Sequence, residues 1–298
     1  MGYLFLLINK LFNIAKMVAM KSCGSIAKGF FNSIRINMLR TAICVVVSVV
    51  ICLLSGFVPC PPEYYVFLIG AGIATGIQLI SWVLAVQEAT VCLVEVIGMI
   101  GSMVLPLCLA PVLYHGETVS LSGWIGAALL LFAVFLFSPA KKDADKAKKL
   151  TPKTVLYLAG SSLGGGGAVI FQKLYATSGG DTAFFNLVSF AVTLVFLCLV
   201  SLAISLAGQK PKDEALSGRF DRRVALLIVC AAVCLYGSQF FFTRASGLLP
   251  SEILYPLSPA ITMLTSFLCD TLLYHEKVTI KNLSGIAVVT AAVFLVCF

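Results

Sequence analysis

The residues that could do chemistry in this chain are few, and most of them interrupt long apolar runs. Five are ionisable: Lys16, Glu95, Lys173, Arg244 and Asp270. Gln78 and Gln239 are their uncharged polar companions. A charge at the centre of an apolar helix costs roughly 2.5–3.5 kcal/mol on insertion scales, so such residues usually face a partner or a cavity. Glu95 stands among Val91, Val94, Val96 and Ile97, with Glu88 two helical turns earlier on the same face. An acid shielded from water can carry a proton or hold a substrate ammonium. The alternatives are an ion pair with Lys16 or a wet position near an interface.

Lys16 and Lys173 each begin a Lys-x-x-Ala motif. They could line a central cavity for an anionic group, or reach the headgroups along their aliphatic stems. Arg244 and Asp270 lie close to the ends of their runs and have the same interfacial alternative. Trp82 follows Gln78 by one turn, and Tyr236 precedes Gln239 by three residues. An amide beside an aromatic face makes a binding wall; helix–helix hydrogen bonding, about 0.6 kcal/mol each in membranes, is the other reading. The candidate substrate-binding residues are therefore Gln78, Trp82, Glu95, Tyr236, Gln239 and Tyr255. Glu95, Lys16 and Lys173 are the candidates for proton coupling or ion pairing.

Other chemistries find little support. His115 and His275 are the only histidines and stand far apart in the sequence. The 11 cysteines are scattered through apolar runs without metal-ligand spacing, which reads as small hydrophobes packed between helices. No metal is expected, nor any cofactor. No nucleophile–base arrangement or paired acidic motif appears, so an enzyme is not expected. The run Gly164-Gly165-Gly166-Gly167 is not a phosphate loop, because no Gly-Lys-Ser/Thr follows it. It implies close helix packing or a hinge. Gly72-x-x-x-Gly76 is a small-residue approach motif.

The elements that must position these residues follow from composition. Of 298 residues, 60% are hydrophobic and only 11% charged, against about 45–50% and about 25% in soluble domains. Mean hydropathy is +1.03. Too little polar surface remains to cover a water-facing globule. Lipid admits only helices and closed barrels, and runs near 20 residues favour helices. Spans are expected near 3–20, 33–56, 64–86, 90–113, 121–138, 155–176, 183–207, 224–245, 251–273 and 281–298. Lys10 and Lys16 interrupt the first run, which is expected to remain as a weak transmembrane helix. The stretch 141–153, with six lysines and two acids, divides the chain almost in half; 210–223 holds five basic and three acidic residues.

The halves resemble each other. Leu113-Tyr114-His115 recurs as Leu273-Tyr274-His275, followed by Glu117 and Glu276, Val119 and Val278, and Gly126 and Gly285. Upstream, Phe30-Phe31-Asn32 matches Phe184-Phe185-Asn186, and Gly76-x-Gln78 matches Gly237-x-Gln239. The matches keep one order at near-constant separation, which implies duplication of a five-helix unit. An odd number of helices per unit makes the second copy enter from the opposite side, giving an inverted pair with a site near the midplane. The expected fold is an all-α membrane protein of ten transmembrane helices in two inverted five-helix repeats: 1–138, a basic linker 139–153, and 154–298.

The repeated helix–loop–helix, with His115-Gly116-Glu117 through Gly126, His275-Glu276-Lys277 through Gly285, and Pro256-x-x-Pro259, resembles the EamA-like branch of the drug/metabolite transporter superfamily. The resemblance implies ten helices and transport of an unspecified small metabolite such as an amino acid across the plasma membrane. It also implies cytoplasmic termini. The charges dispute that detail: the loops 57–63, 114–120, 177–182 and 246–250 contain no Lys or Arg, and by the positive-inside rule they face outward and the termini do too.

The leading expectation is a secondary transporter working by alternating access, coupled to protons through Glu95. A passive channel or a non-transport membrane protein is the alternative, with a lipid-modifying enzyme behind both. The partners implied are a small-molecule substrate and the bilayer, with a homodimer left open. The basic loops fit membrane sorting rather than nucleic acid.

Overall fold

The computed structural model describes residues 1–23, 30–56, 58–88, 91–114, 117–137, 151–206, 222–272 and 280–297. His115, His275, Glu276 and the basic stretches 141–150 and 210–221 lie outside these residues, as do the side chains of Glu95 and Asp270. The described chain is helical, without strands. The helices are α1 (Gly2–Cys23), α2 (Phe30–Ser55), α3 (Tyr65–Glu88), α4 (Val91–Leu113) and α5 (Leu121–Phe137), then α6 (Pro152–Thr177), α7 (Thr182–Leu206), α8 (Arg222–Ser246), α9 (Ser251–Leu272) and α10 (Ile280–Cys297). Each begins and ends within a few residues of its expected span, because apolar length and breaks set the boundaries.

Local chemistry starts several helices. Thr151 caps α6, its hydroxyl accepting from the Thr154 amide at 3.2 Å, with Pro152 at the first helical position. Asp181 caps α7 through the Phe184 amide at 2.8 Å. Gly179, with φ +76°, makes the left-handed turn between α6 and α7.

Among the described residues, seven helices are long and apolar enough to cross a membrane. The apolar stretches of the other three, among the described residues, are shorter: Ile97–Leu113, Leu121–Val134 and Leu283–Cys297. The 17 residues of α5 rise about 26 Å, just short of a ~30 Å hydrocarbon core. The surface supports the same conclusion. Leu53, Leu54, Val112, Leu156 and Leu206 are exposed, while Lys173, Asn186, Thr193 and Ser251 are buried. Polar groups inside and leucines outside is the arrangement lipid demands. The chain has the architecture of a multi-pass membrane protein.

Packing is closest where glycines remove side chains. α6 lies on α3: a Cβ on Gly164 would stand 2.7 Å from the Gln78 amide nitrogen and 2.8 Å from the Ala74 carbonyl. α6 also lies on α4, where Gly166 meets the Gly101 carbonyl and Gly101 meets the Ser162 carbonyl. The four-glycine run therefore serves two neighbours at once. Gly72 and Gly76 of α3 face Val192 and Phe196 of α7, and the Thr193 hydroxyl donates to the Gly72 carbonyl at 2.9 Å. Elsewhere α1 packs on α8, α2 on α7 and α5 on α10. The largest apolar core joins α4, α5, α9 and α10, with Leu6 of α1 and Phe242 of α8.

Candidate functional site

A cavity of about 190 Å³ lies among α1, α4, α6, α8 and α9. Its polar lining is Lys10, Ser102, Tyr255, Ser258 and Thr262; its apolar lining is Met99, Val169, Phe242 and Pro259. Lys10 is 6% exposed, and its ammonium donates to Ser258 Oγ at 2.6 Å. It stands in the middle of α1, with its charge turned inward to α9. Removing an ammonium from water costs several kcal/mol unless it is paired, so this is an expensive placement. α9 contributes most of the wall. Pro259 has no amide hydrogen, so the Tyr255 carbonyl loses its intrahelical donor beside the cavity. Thr262 Oγ1 bonds the Ser258 carbonyl at 2.9 Å.

A polar cluster adjoins the cavity at Tyr255. Lys173 of α6, with no exposed side-chain surface, pairs with Glu117 at 2.8 Å and donates to the Leu249 carbonyl at 2.9 Å. Glu117, in the loop before α5, also accepts from the Ser251 amide at 2.9 Å. Its carboxylate thus lies at the positive end of α9 and satisfies an amide that the helix leaves unpaired. The exchange is reciprocal: Glu252, at the start of α9, accepts from the Ser120 amide that precedes α5, also at 2.9 Å. Burial pushes the Glu117 carboxyl up, but the hydrogen bonds from Lys173 and Ser251 outweigh it and hold the group below its ordinary range. Above Lys173 stand the rings of Tyr114 and Tyr255, 5.0 and 5.8 Å from its nitrogen. Their hydroxyls share a 2.9 Å hydrogen bond. Tyr255 therefore belongs both to this cluster and to the cavity.

A second network runs between α6 and α8. Gln172 Nε2 donates to Thr243 Oγ1 at 2.7 Å and to Gln239 Oε1 at 3.1 Å. Asn9 of α1 donates to the carbonyl and hydroxyl of Ser238 at 2.7 and 2.8 Å.

The residues singled out in the sequence are dispersed among these features. Tyr255 lines the cavity. Lys173 is held by Glu117 and Leu249 rather than reaching the headgroups. Gln239 bonds Gln172 across the α6–α8 contact. Gln78 lies against Gly165, where a Cβ would come within 2.9 Å of its amide nitrogen. Tyr236 is buried between the rings of Phe190 and Phe240, and Trp82 is 37% exposed on α3. Lys16 is half-buried on α1, and Arg244 is exposed over the Phe240 ring at 5.6 Å. Glu95 precedes Met99 by one turn of α4, but its side chain lies outside the described residues. Lys10 and Ser258 are the site residues that sequence reasoning passed over. The available signal was the position of Lys10, deeper in its span than Lys16.

No family model matches the sequence, and no curated protein does. A solved structure, described only as "Crystal structure of protein", is similar over 99% of this chain and 96% of its own, with a TM-score of 0.75 and 16% identity. At that identity the likeness speaks for the fold alone.

Proposed function

We propose that this chain is a secondary transporter of a small metabolite, such as an amino acid or a related compound, and that it works by alternating access in the plasma membrane. The observation that carries the reading is the cavity, walled by α1 and α4 from the first half and by α6, α8 and α9 from the second. At about 190 Å³ it falls below the ~300–1,000 Å³ of drug-sized sites. A small metabolite fits that volume better than a bulky toxic compound.

Two inverted five-helix repeats of the EamA-like type belong to the same proposal. The packing pairs support it, because they interchange when α1–α5 are exchanged with α6–α10. α3 on α6 becomes α8 on α1, α3 on α7 becomes α8 on α2, and α4 on α6 becomes α9 on α1; all six contacts are made. α2 on α7, α5 on α10 and α4 on α9 map onto themselves. A site between such halves is where rocking of one against the other would expose it alternately. Proton coupling is assigned to Glu95, for its intramembrane position in α4.

Purified protein in liposomes preloaded with a pool of amino acids and small organic acids should show saturable uptake and counterflow of at least one of them. Flux that rises linearly with concentration, without counterflow, would instead mark a passive channel. Glu95→Gln should abolish the pH dependence of uptake; a preserved pH profile removes Glu95 from coupling.

A further inference from the structure

We infer that Lys10 is placed to meet the negative head of the substrate, so that the cavity takes small amphipathic monoanions of the carboxylate class. The inference rests on reading the cavity as the transport site, and it adds a charge requirement which that reading leaves open.

The case begins with donors. An ammonium has three N–H groups, and the Ser258 hydroxyl, 2.6 Å away, takes one. The other polar groups of the wall are committed. Thr262 and Ser102 donate to the Ser258 and Met99 carbonyls of their own helices, at 2.9 and 3.3 Å. The Tyr255 hydroxyl is paired with that of Tyr114. Lys10, with two further N–H groups, and the Ser258 hydroxyl beside it are thus the lining groups with donors to spare, and of the two only Lys10 carries a charge.

Charge gives the second step. A hydroxyl does not neutralise an ammonium. Among the described residues no carboxylate pairs with Lys10, whereas the equally buried Lys173 has Glu117 at 2.8 Å. Lys10 is the one cation among the lining residues, and one cation shielded from water matches one negative charge. A doubly charged phosphate would leave a charge unmatched at several kcal/mol. Shape gives the third step. Met99, Val169, Phe242 and Pro259 form the rest of the wall and suit a short hydrocarbon tail. A volume of about 190 Å³ equals roughly six water-sized groups at ~30 Å³ each, the scale of a four- to six-carbon acid.

The test uses the full chain in lipid nanodiscs with three probes of one shape: pentanoate, pentanamide and pentylamine at millimolar concentration. Pentanoate should raise the unfolding temperature by several degrees, and the amide and amine should not. Lys10→Met should lose the pentanoate shift, at least tenfold in affinity. A shift by the amide or amine equal to that by pentanoate overturns the inference; it would mean that a carboxylate of the chain, such as Glu95, already neutralises Lys10. No shift with any probe, or an undiminished shift in Lys10→Met, overturns it as well. The wild-type comparison decides the matter even where Lys10→Met does not fold. Counterflow in liposomes separates this inference from the transport reading. Saturable counterflow of neutral or cationic compounds alone sinks the anion site and keeps transport. Selective pentanoate binding without counterflow of any substrate sinks transport and keeps the site.

Discussion

The Lys173 ammonium lies 2.8 Å from Glu117 Oε1 and has no contact with the exterior. This pair ties α6 to the loop between α4 and α5, and through the Ser251 amide and Leu249 carbonyl it also holds the start of α9. Three parts of the chain that are distant in sequence are fastened by one charge pair.

Glu117→Gln leaves Lys173 buried without a counter-charge. Breaking a buried pair costs about 3–5 kcal/mol; the partial exposure of Glu117 places the loss at the lower end, about 3 kcal/mol. Thermal unfolding in a mild detergent should show a clear fall in melting temperature. The double variant Glu117→Gln/Lys173→Met should recover part of it, since no lone charge remains. A double variant as unstable as Glu117→Gln alone would show that the charge is not the cause.

The same pair gives a pH dependence of defined sign. The folded Glu117 carboxyl titrates below its ordinary value of 4.5. Its contribution to stability is therefore complete above about pH 4.5 and is lost as the pH falls from there through the lower folded value. The difference in melting temperature between wild type and Glu117→Gln should shrink as the pH falls below 4.5. A gap that goes on widening below pH 4.5 would contradict the assignment.

The glycine run should respond position by position. A methyl group on Gly164 meets backbone of α3 at 2.7–3.0 Å, and one on Gly166 meets the Gly101 carbonyl of α4. Backbone cannot give way as a side chain does, so Gly164→Ala and Gly166→Ala should each destabilise by about 1–3 kcal/mol. Gly167→Ala places its methyl at an ordinary 3.5 Å from the Ala74 methyl and should be neutral or slightly stabilising. Equal losses at all three positions would mean that intrinsic helix propensity, not packing, governs the run.

The amide network between α6 and α8 should be modest in energy. A double-mutant cycle on Gln172→Leu and Thr243→Val should return a coupling of about 0.6 kcal/mol, and no more than about 1.7 kcal/mol. Unfolding of the four proteins in one detergent measures it. A coupling near zero would remove the 2.7 Å contact as a stabilising link.

Much of this architecture can be read from residue order, because apolar length alone decides where a helix fits a bilayer. The span expected at 183–207 is the helix Thr182–Leu206, and that expected at 251–273 is Ser251–Leu272. Side-chain partners are another matter. Lys173 and Glu117 are both prominent in the sequence, as parts of the Lys-x-x-Ala and Tyr-His-Gly-Glu motifs. Nothing in their spacing says that they meet, since their contact depends on how α6 lies against the α4–α5 loop. Gln239 is likewise legible as a polar residue inside a span, yet only the crossing of α6 and α8 shows that Gln172 occupies it. Lys10 is hidden for a different reason. It resembles an imperfection in a weak apolar run until Ser258, far along the chain, is found beside it.

The helix that carries Lys10 also has a history in synthesis. α1 holds Asn9, Lys10, Asn13 and Lys16, a poor composition for entering lipid unaided, with each central lysine costing roughly 2.5–3.5 kcal/mol. Its broad packing partner is α8, beginning at Arg222, and the Lys10 hydroxyl partner is on α9. Both are made long after α1 has left the ribosome. A helix made well before α8 and α9 is therefore among the last to reach its final surroundings, and a fragment that ends before α8 would leave Asn9 and Lys10 without their Ser238 and Ser258 partners.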